Sequence, residues 1–171
     1  LHGIPKFGNF SETNSFNRNA SRAGEDWEFL KYLRDNWPNN LVIKGVLNTE
    51  DAQNMKGIGV DGIYVSSHGG RQLASAPHPI EMLPKIRNAL GNDVQIFYDS
   101  GLRSGEDLVK AYALGANFVF MGRPWSMAYA ANNRHGIENY IKYLCKETSV
   151  AMAMIGRRKI EEICFDDILW N

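Results

Sequence analysis

Four short, continuously apolar segments constrain the fold of this chain more than any other feature. They cover residues 41–43, 62–65, 94–98 and 118–121. A strand with one solvated face alternates apolar and polar residues, so uninterrupted apolar runs predict parallel strands that are covered on both faces.

Segments with helical patterns alternate with these strands. Helices are predicted at residues 27–36, 49–57, 79–90, 104–114, 125–132 and 136–155, the last with a buried stripe at Ile137, Tyr140, Ile141 and Leu144. Asp26 is positioned to cap the first helix, and Ser104 with Asp107 is positioned to cap the fourth. Strands that alternate with helices indicate right-handed βαβ units and a parallel sheet. Four such units make either half of an eight-stranded (β/α) barrel or an open doubly wound sheet, and periodicity does not separate the two.

Composition and charge limit the kinds of binding partner and the cellular compartment that we expect for this chain. Residues 1–24 are rich in Asn, Ser and Gly and predict a polar loop or linker, followed by one domain over residues 25–171. Lys+Arg and Asp+Glu both number 19, so the zero net charge argues against nucleic acid as a partner. No apolar stretch reaches the ~18 residues of a membrane span. Cys145 and Cys164 lie in apolar sequence without metal-ligand spacing, which favours a reducing, cytoplasmic compartment and no metal site. The basic run at 157–159 is interpreted as a solvated surface.

Every predicted strand is followed by polar residues or glycines that could perform chemistry. The four sets, in chain order, are Lys44-Gly45, residues 66–72, residues 99–103 and residues 122–124. In a (β/α) barrel the carboxyl ends of the strands form the catalytic face. Four reactive ends in succession therefore favour an active site over a purely structural interpretation.

The second of these sets combines a proton acceptor with an anion clamp. A neutral histidine, His68, stands three residues before Arg71, whose guanidinium can hold a carboxylate through two hydrogen bonds. Gly69 and Gly70 between them allow the backbone to approach a ligand closely. The alternative is a loop histidine with its hydrogen bonds satisfied locally, and Lys44 alone could equally be a surface lysine.

The third and fourth sets suit a phosphate group. Gly101 and Gly122 expose N–H groups near helix N-termini, where the positive end of the helix dipole favours an anion. Arg103 and Arg123 add positive charge at the same places. The alternative is ordinary loop glycines beside exposed arginines.

The segment at 65–72, Val-Ser-Ser-His-Gly-Gly-Arg-Gln, resembles the V-S-N-H-G-[GA]-R-Q signature of FMN-dependent 2-hydroxy-acid oxidases and dehydrogenases. This family includes glycolate oxidase, L-lactate dehydrogenase and mandelate dehydrogenase. Residues 43–46, 99–103 and 121–124 match further family motifs in the same order, and the resemblance extends from about residue 27 to 163. Asp-Ser-Gly at 99–101 is more similar to the lactate and mandelate dehydrogenase branch. The resemblance implies an α/β fold of the (β/α)8 TIM-barrel family, with this chain covering the last four β/α units, a half barrel, and a C-terminal helix.

The resemblance also implies a role for each candidate residue. His68 is the implied base and Arg71 the residue that holds the carboxylate of a small 2-hydroxy acid. Lys44 is implied to stabilise the reduced flavin near N1 of FMN. The other implied FMN-binding residues are Ser66 at the pyrimidine edge, Asp99 at the ribityl chain, Ser100, and, at the phosphate, Gly101, Arg103, Gly122 and Arg123.

Two departures and one absence qualify these roles. Ser67 stands where the family usually has Asn, and Ala74-Ser75 stands where Asp-Gly is usual, so a hydrogen bond that orients the His68 loop is expected to be lost. Family members are about twice as long and supply four earlier strands, which carry an Asp that pairs with the catalytic His. We therefore expect a fragment that is inactive without an N-terminal half, with strand edges open to that half or to self-association. A non-catalytic FMN-binding or phosphate-binding half barrel and a degenerate fragment are the alternatives. Peripheral membrane association stays open, because the loop before Trp27 mediates it in some members.

Overall fold

The computed structural model describes residues 26–168, so the loop predicted at 1–24 lies outside the described residues. The helices and strands, numbered in chain order, are α1 (Trp27–Asn36), β1 (Val42–Val46), α2 (Thr49–Ile58), β2 (Gly62–Val65), α3 (Pro79–Leu90), β3 (Gln95–Tyr98), α4 (Gly105–Ala113), β4 (Phe118–Val119) and α5 (Arg123–Met154). Short 3₁₀ turns span His68–Gly70, Ile160–Glu162 and Phe165–Asp167. No helix within this part of the chain is long and apolar enough to cross a membrane.

The four strands form one parallel sheet in the order β1-β2-β3-β4. Each strand pairs with its neighbour in sequence, and a helix lies between successive strands. A doubly wound sheet reverses its strand order at a switch point, whereas a barrel adds each strand on the same side. The observed order is therefore that of a barrel segment, with β1 and β4 at its edges as predicted.

The hydrophobic core lies between one face of the sheet and the helices. Ile63 and Ile96 project from the strands, Leu83 and Ile86 from α3, and all four are fully buried. Each such side chain contributes roughly 1.5–3 kcal/mol when it is removed from water. This core fixes β2 and β3, the two central strands, most firmly.

The opposite face of the sheet is aromatic and open. Tyr64, Phe97, Phe118 and Phe120 form a chain of ring contacts across it, with Tyr64 and Phe120 stacked at 5.0 Å between centroids. Phe118 is 51% exposed and Phe120 42% exposed. The prediction that both faces are covered is therefore wrong for the described residues, because no layer within 26–168 packs on this side.

Capping residues fix two helix starts as the sequence predicts. The Asp26 carboxylate accepts a hydrogen bond from Phe29 N in the first turn of α1. At α4, Ser104 accepts from the Asp107 amide while the Asp107 carboxylate accepts from the Ser104 amide. These reciprocal bonds satisfy amides that an uncapped helix would leave unpaired.

Several predicted boundaries need correction. The first strand extends beyond residue 43 through Lys44 and Gly45, and the fourth ends at residue 119 because its pairing with β3 covers only two residues. The two helices predicted at 125–132 and 136–155 are confirmed: non-helical backbone at Asn132 and Asn133 divides α5 into two helices, the first of which begins earlier, at Arg123.

Close contact between α4 and α5 completes the described fold. A Cβ atom on Gly105 would overlap the Thr148 backbone, so glycine is required where these helices meet. Leu144 on α5 is buried as predicted, but Ile141 is 45% exposed, so the predicted buried stripe is wrong at that position.

The basic run predicted as a solvated surface is confirmed at Arg158 and Lys159, which are exposed. Arg157 is only partly exposed, because its guanidinium donates to both carboxylate oxygens of Asp167 at 2.8–3.0 Å. Cys145 and Cys164 are both exposed.

Candidate functional site

The carboxyl ends of β1, β2 and β3 bring three polar side chains together. Lys44 Nζ donates to Ser66 Oγ at 2.7 Å and to Asp99 Oδ2 at 2.9 Å. It also lies 4.3 Å above the ring centroid of Tyr64, its neighbour in the sheet register. Three partners hold this ammonium group on the open face, so Lys44 is not a free surface lysine.

The charges at this edge are fixed by their surroundings. Burial would by itself raise the pKa of Asp99, but hydrogen bonds from Ser66, Lys44 and Ser100 together outweigh it, and the pKa lies below its usual value. Burial, with the nearby Asp99 charge, raises the pKa of Tyr64. The edge therefore carries an ionised carboxylate beside a neutral phenol at neutral pH.

His68 lies on a tight turn directly after β2. Its φ of 55° begins three successive left-handed residues, followed by Gly69 and Gly70. A non-glycine residue in this region costs about 1–3 kcal/mol and is retained only where its surroundings hold it. The His68 amide donates to Ser66 Oγ at 3.0 Å, and the imidazole itself is exposed. The turn thus presents the ring at the same edge as Lys44.

Gly45 is a site residue to which the sequence analysis assigned no role. It has a φ of +95° at a register shift between Lys44 and Val46, and a Cβ there would lie 2.6 Å from His68 Cε1. The His68 ring therefore rests against β1 where only glycine leaves room for it. A glycine inside a strand often marks a bulge or a close approach, but the predicted strand ended at residue 43, so this signal was not recognised.

Ser67 keeps a hydrogen-bonding partner although it replaces the Asn usual at this position. Its hydroxyl donates to Ser100 Oγ at 3.2 Å. The expected loss of an orienting bond is therefore compensated within this chain by a contact with the loop after β3.

The loops after β3 and β4 differ in whether their helix N-termini are already occupied. In α4, Gly105 N donates to Glu147 Oε2 at 2.8 Å, and Ser104 and Asp107 cap the same turn. The first turn of α5 begins at Gly122 without a side-chain cap. An anion therefore has a better site at the start of α5 than at the start of α4.

Gly122 and Arg123 lie at that start, and the Tyr140 hydroxyl contacts both Met121 Sδ and Arg103 O, which brings the loop that carries Gly101 and Arg103 beside it. A Cβ on Gly101 or Gly122 would meet no atom within 4 Å, so open space adjoins both. Arg123 reaches towards the His68 turn, since a Cβ on Gly69 would lie 3.7 Å from its Nη2. Arg103 is exposed, and its carbonyl accepts a hydrogen bond of 2.7 Å from the Tyr140 hydroxyl, which ties this loop to α5.

Among the described contacts of residues 26–168, none joins the Arg71 side chain to another predicted site residue. The Arg71 amide donates to His68 O at 3.4 Å at the end of the turn, and its side chain is exposed. Arg71 therefore ends the turn that begins at His68, and it is not part of the cluster of Lys44, Ser66 and Asp99. Within residues 26–168, no carboxylate bonds to the His68 imidazole.

Comparison with known proteins gives a consistent result. Residues 6–170 match the sequence model of the family described as FMN-dependent dehydrogenase. L-lactate dehydrogenase of Vibrio cholerae serotype O1 (strain M66-2) is 42% identical over 143 residues, which are 84% of this chain and 38% of that protein. The L-lactate dehydrogenase of Azorhizobium caulinodans is 41% identical with the same coverage.

Solved structures show the same relationship. A crystal structure of mandelate oxidase superimposes on this chain with a TM-score of 0.76 and 39% sequence identity, over 80% of this chain and 40% of the mandelate oxidase chain. A mandelate oxidase variant with a monooxide FMN adduct matches equally well, with 43% of its own chain covered. The described sheet and helices are thus part of a (β/α)8 barrel, and the chain spans about 38% of the length of the curated relatives it matches. The order of its strands, its motifs and these likenesses agree, and the chain belongs to the FMN-dependent dehydrogenase family.

Proposed function

We propose that this chain supplies the flavin-phosphate site and the proton acceptor of an enzyme that oxidises a small 2-hydroxy acid to the 2-oxo acid. The observation that carries the proposal is the juxtaposition, at one sheet edge, of the Lys44–Asp99 pair and the His68 turn. L-lactate dehydrogenases and mandelate oxidase among its relatives support a substrate of the lactate or mandelate type.

The residues present fit FMN. The phosphate would lie at the uncapped start of α5, where Gly101 and Gly122 leave open space and Arg103 and Arg123 add charge. Lys44 would face the flavin ring from the open side of the sheet. Ser66, Asp99 and Ser100, the remaining FMN-binding candidates, hold Lys44 and the His68 turn in place. When bound, FMN accepts the two electrons of the oxidation.

The protein's own part in the reaction is binding, orientation and proton transfer. Arg71 holds the substrate carboxylate through its planar guanidinium. The His68 imidazole accepts one of the two protons that the 2-hydroxy acid loses, and the other passes to bound FMN together with the two electrons. The fixed charge of Lys44, kept in place by Asp99, stabilises negative charge that develops on the cofactor side.

Turnover requires more of the barrel than residues 26–168 contain. The aromatic face is open, both edge strands lack an outer neighbour in the described part, and His68 has no carboxylate partner there. A base without such a partner loses orientation and basicity. We infer that the chain acts with the preceding strands of a barrel, or with a second copy that covers the open face.

A second candidate function is binding of FMN or another phosphorylated ligand without turnover. It is favoured by one contrast: all the candidate phosphate-binding residues lie within the described residues, whereas no carboxylate there bonds to the His68 imidazole. Both candidates predict FMN binding, and they differ in whether activity can be restored.

Titration of the purified chain with FMN, followed by flavin fluorescence, tests the shared step. Riboflavin, which lacks the phosphate, should bind far more weakly. Arg123→Ala should weaken FMN binding about 10- to 100-fold, since a charged hydrogen bond contributes roughly 1.5–3 kcal/mol. Arg134→Ala is the matched control, because Arg134 is 88% exposed and pairs with Glu138 beyond the break in α5. Equal loss in both variants, or equal binding of riboflavin, would refute the phosphate site.

Restoration of activity separates the two candidates. The chain mixed with a segment carrying the first four strands of a lactate-type relative should oxidise lactate or mandelate when FMN is present. His68→Gln in the same mixture should abolish turnover and leave FMN binding intact. An FMN-binding mixture without turnover would favour the non-catalytic candidate.

A further inference from the structure

Three consecutive backbone N–H groups at the catalytic turn donate to serine hydroxyls. The His68 amide bonds to Ser66 Oγ at 3.0 Å, while the Ser67 and Gly69 amides bond to Ser100 Oγ at 3.2 and 3.3 Å. Ser100 belongs to the neighbouring loop after β3, so the turn that carries His68 is held from outside its own strand.

The Ser100 backbone is unfavourable for a serine. Its φ of 86° lies in the left-handed region, where glycine suffers no steric penalty and a serine does. The side chain offsets this penalty only if its hydroxyl is used. Besides accepting from the two amides and from the Ser67 hydroxyl, it donates to Asp99 Oδ1 at 2.9 Å. The Ser100 carbonyl accepts from the Tyr98 hydroxyl at 3.0 Å.

Asp99 connects this hydroxyl to the cofactor side of the site. One carboxylate oxygen accepts from Ser100 and the other from Lys44. The lysine on the flavin side and the turn that presents His68 therefore share a single carboxylate. A shift of either partner changes the hydrogen bonds available to the other.

We propose that Ser100 is a positioning residue for His68, acting as a link between Asp99 and the backbone on both sides of the histidine. Its catalytic meaning rests on the proposed function. Its primary role is to hold the imidazole relative to Lys44, in addition to any contact it makes with FMN.

The test is amide hydrogen exchange and ¹H–¹³C spectra of the His68 ring, recorded on the whole chain without FMN. Ser100→Gly removes the hydroxyl and relieves the strained backbone, so the variant should unfold at the same or a higher temperature than the parent chain. Its Ser67 and Gly69 amides should nevertheless exchange about 5- to 10-fold faster, normalised to Ile63 in the sheet. The ring resonances of His68 should shift as well.

Two further variants separate positioning from stability. Ser100→Ala also lacks the hydroxyl, but keeps the backbone strain, so it should show the same faster exchange with a lower unfolding temperature. Ser104→Ala removes a serine that only caps α4 and should lower the unfolding temperature without moving the His68 resonances. Unchanged Ser67 and Gly69 exchange in Ser100→Gly would overturn the proposal, as would equal His68 shifts in Ser104→Ala.

Failure of the proposed function can be distinguished from failure of the role proposed for Ser100. If the parent chain does not bind FMN but Ser100→Gly changes the exchange of the Ser67 and Gly69 amides, the role of Ser100 is supported and the proposed FMN site is refuted. If the parent chain binds FMN but Ser100→Gly leaves that exchange unchanged, the proposed FMN site is supported and the role of Ser100 is refuted.

Discussion

The contact between Gly45 and His68 gives a prediction whose size follows from the geometry. Replacing Gly45 by Ala forces a side chain onto a backbone at φ +95°, which costs about 1–3 kcal/mol. The new Cβ would lie 2.6 Å from His68 Cε1, so the ring must move by about 0.9 Å to reach an ordinary carbon–carbon contact of ~3.5 Å. A displaced, off-rotamer ring adds about 0.5–1.5 kcal/mol. We expect a total loss of about 1.5–4.5 kcal/mol in the free energy of unfolding.

Urea unfolding of Gly45→Ala and Gly91→Ala separates the two contributions. Gly91 also has a positive φ, at +65°, but a Cβ there would meet no atom within 4 Å. Both variants should lose stability through the backbone, and only Gly45→Ala should move the His68 ring resonances. In an active, reconstituted barrel a displacement of this size should lower turnover roughly 100-fold. His68 resonances identical to those of the parent chain in Gly45→Ala would refute the assigned contact.

Three other perturbations test the fold around the site. Gly105→Ala should destabilise the chain by about 1–3 kcal/mol in urea unfolding by forcing α4 and α5 apart, and an unchanged midpoint would contradict the close packing. The Arg157 guanidinium and neighbouring hydrogen bonds lower the pKa of Asp167 to about 2, so this pair should stabilise the fold at neutral pH and weaken as the pH falls from about 4 towards 2. Asp167→Asn should therefore flatten the thermal midpoint across that window, and a slope equal to that of the parent chain would exclude the effect. Arg87→Met should cost about 2–4 kcal/mol because it leaves three carbonyl groups, two of them part-buried, without their donor, whereas Lys85→Met on the exposed side of the same helix should be neutral.

The sequence was sufficient for the four strands and for the family, whereas the strand order followed only from the resemblance to that family, because periodicity left a doubly wound sheet open. The strands and the family follow from local patterns: apolar runs that end in glycines and polar residues, and the motif around His68, which requires a particular turn. The Ser104 cap was equally predictable, since a capping box needs only residues three apart. Comparison with relatives confirms the barrel and the FMN-dependent family.

The sequence was not sufficient for features that depend on distant residues meeting. Gly45 lies 23 positions before His68, and nothing near either residue shows that one rests on the other. The bonds from Ser100 to Ser67 and Gly69 likewise join segments separated by 31 or more residues. The apolar runs predicted strands covered on both faces, but the layer that would cover the second face is not part of those runs, and within residues 26–168 that face is open.

The open row of Tyr64, Phe97, Phe118 and Phe120 has a thermodynamic consequence for any study of this chain. Whatever covers those rings binds the folded form and not the unfolded one, so it shifts the unfolding equilibrium by mass action. The midpoint of denaturation should then rise with the concentration of the covering partner, or with that of the chain itself if two copies associate. The free energy of unfolding measured for this chain therefore depends on the concentration of its partner. Measuring the denaturation midpoint over a dilution series reports on assembly as directly as any binding assay.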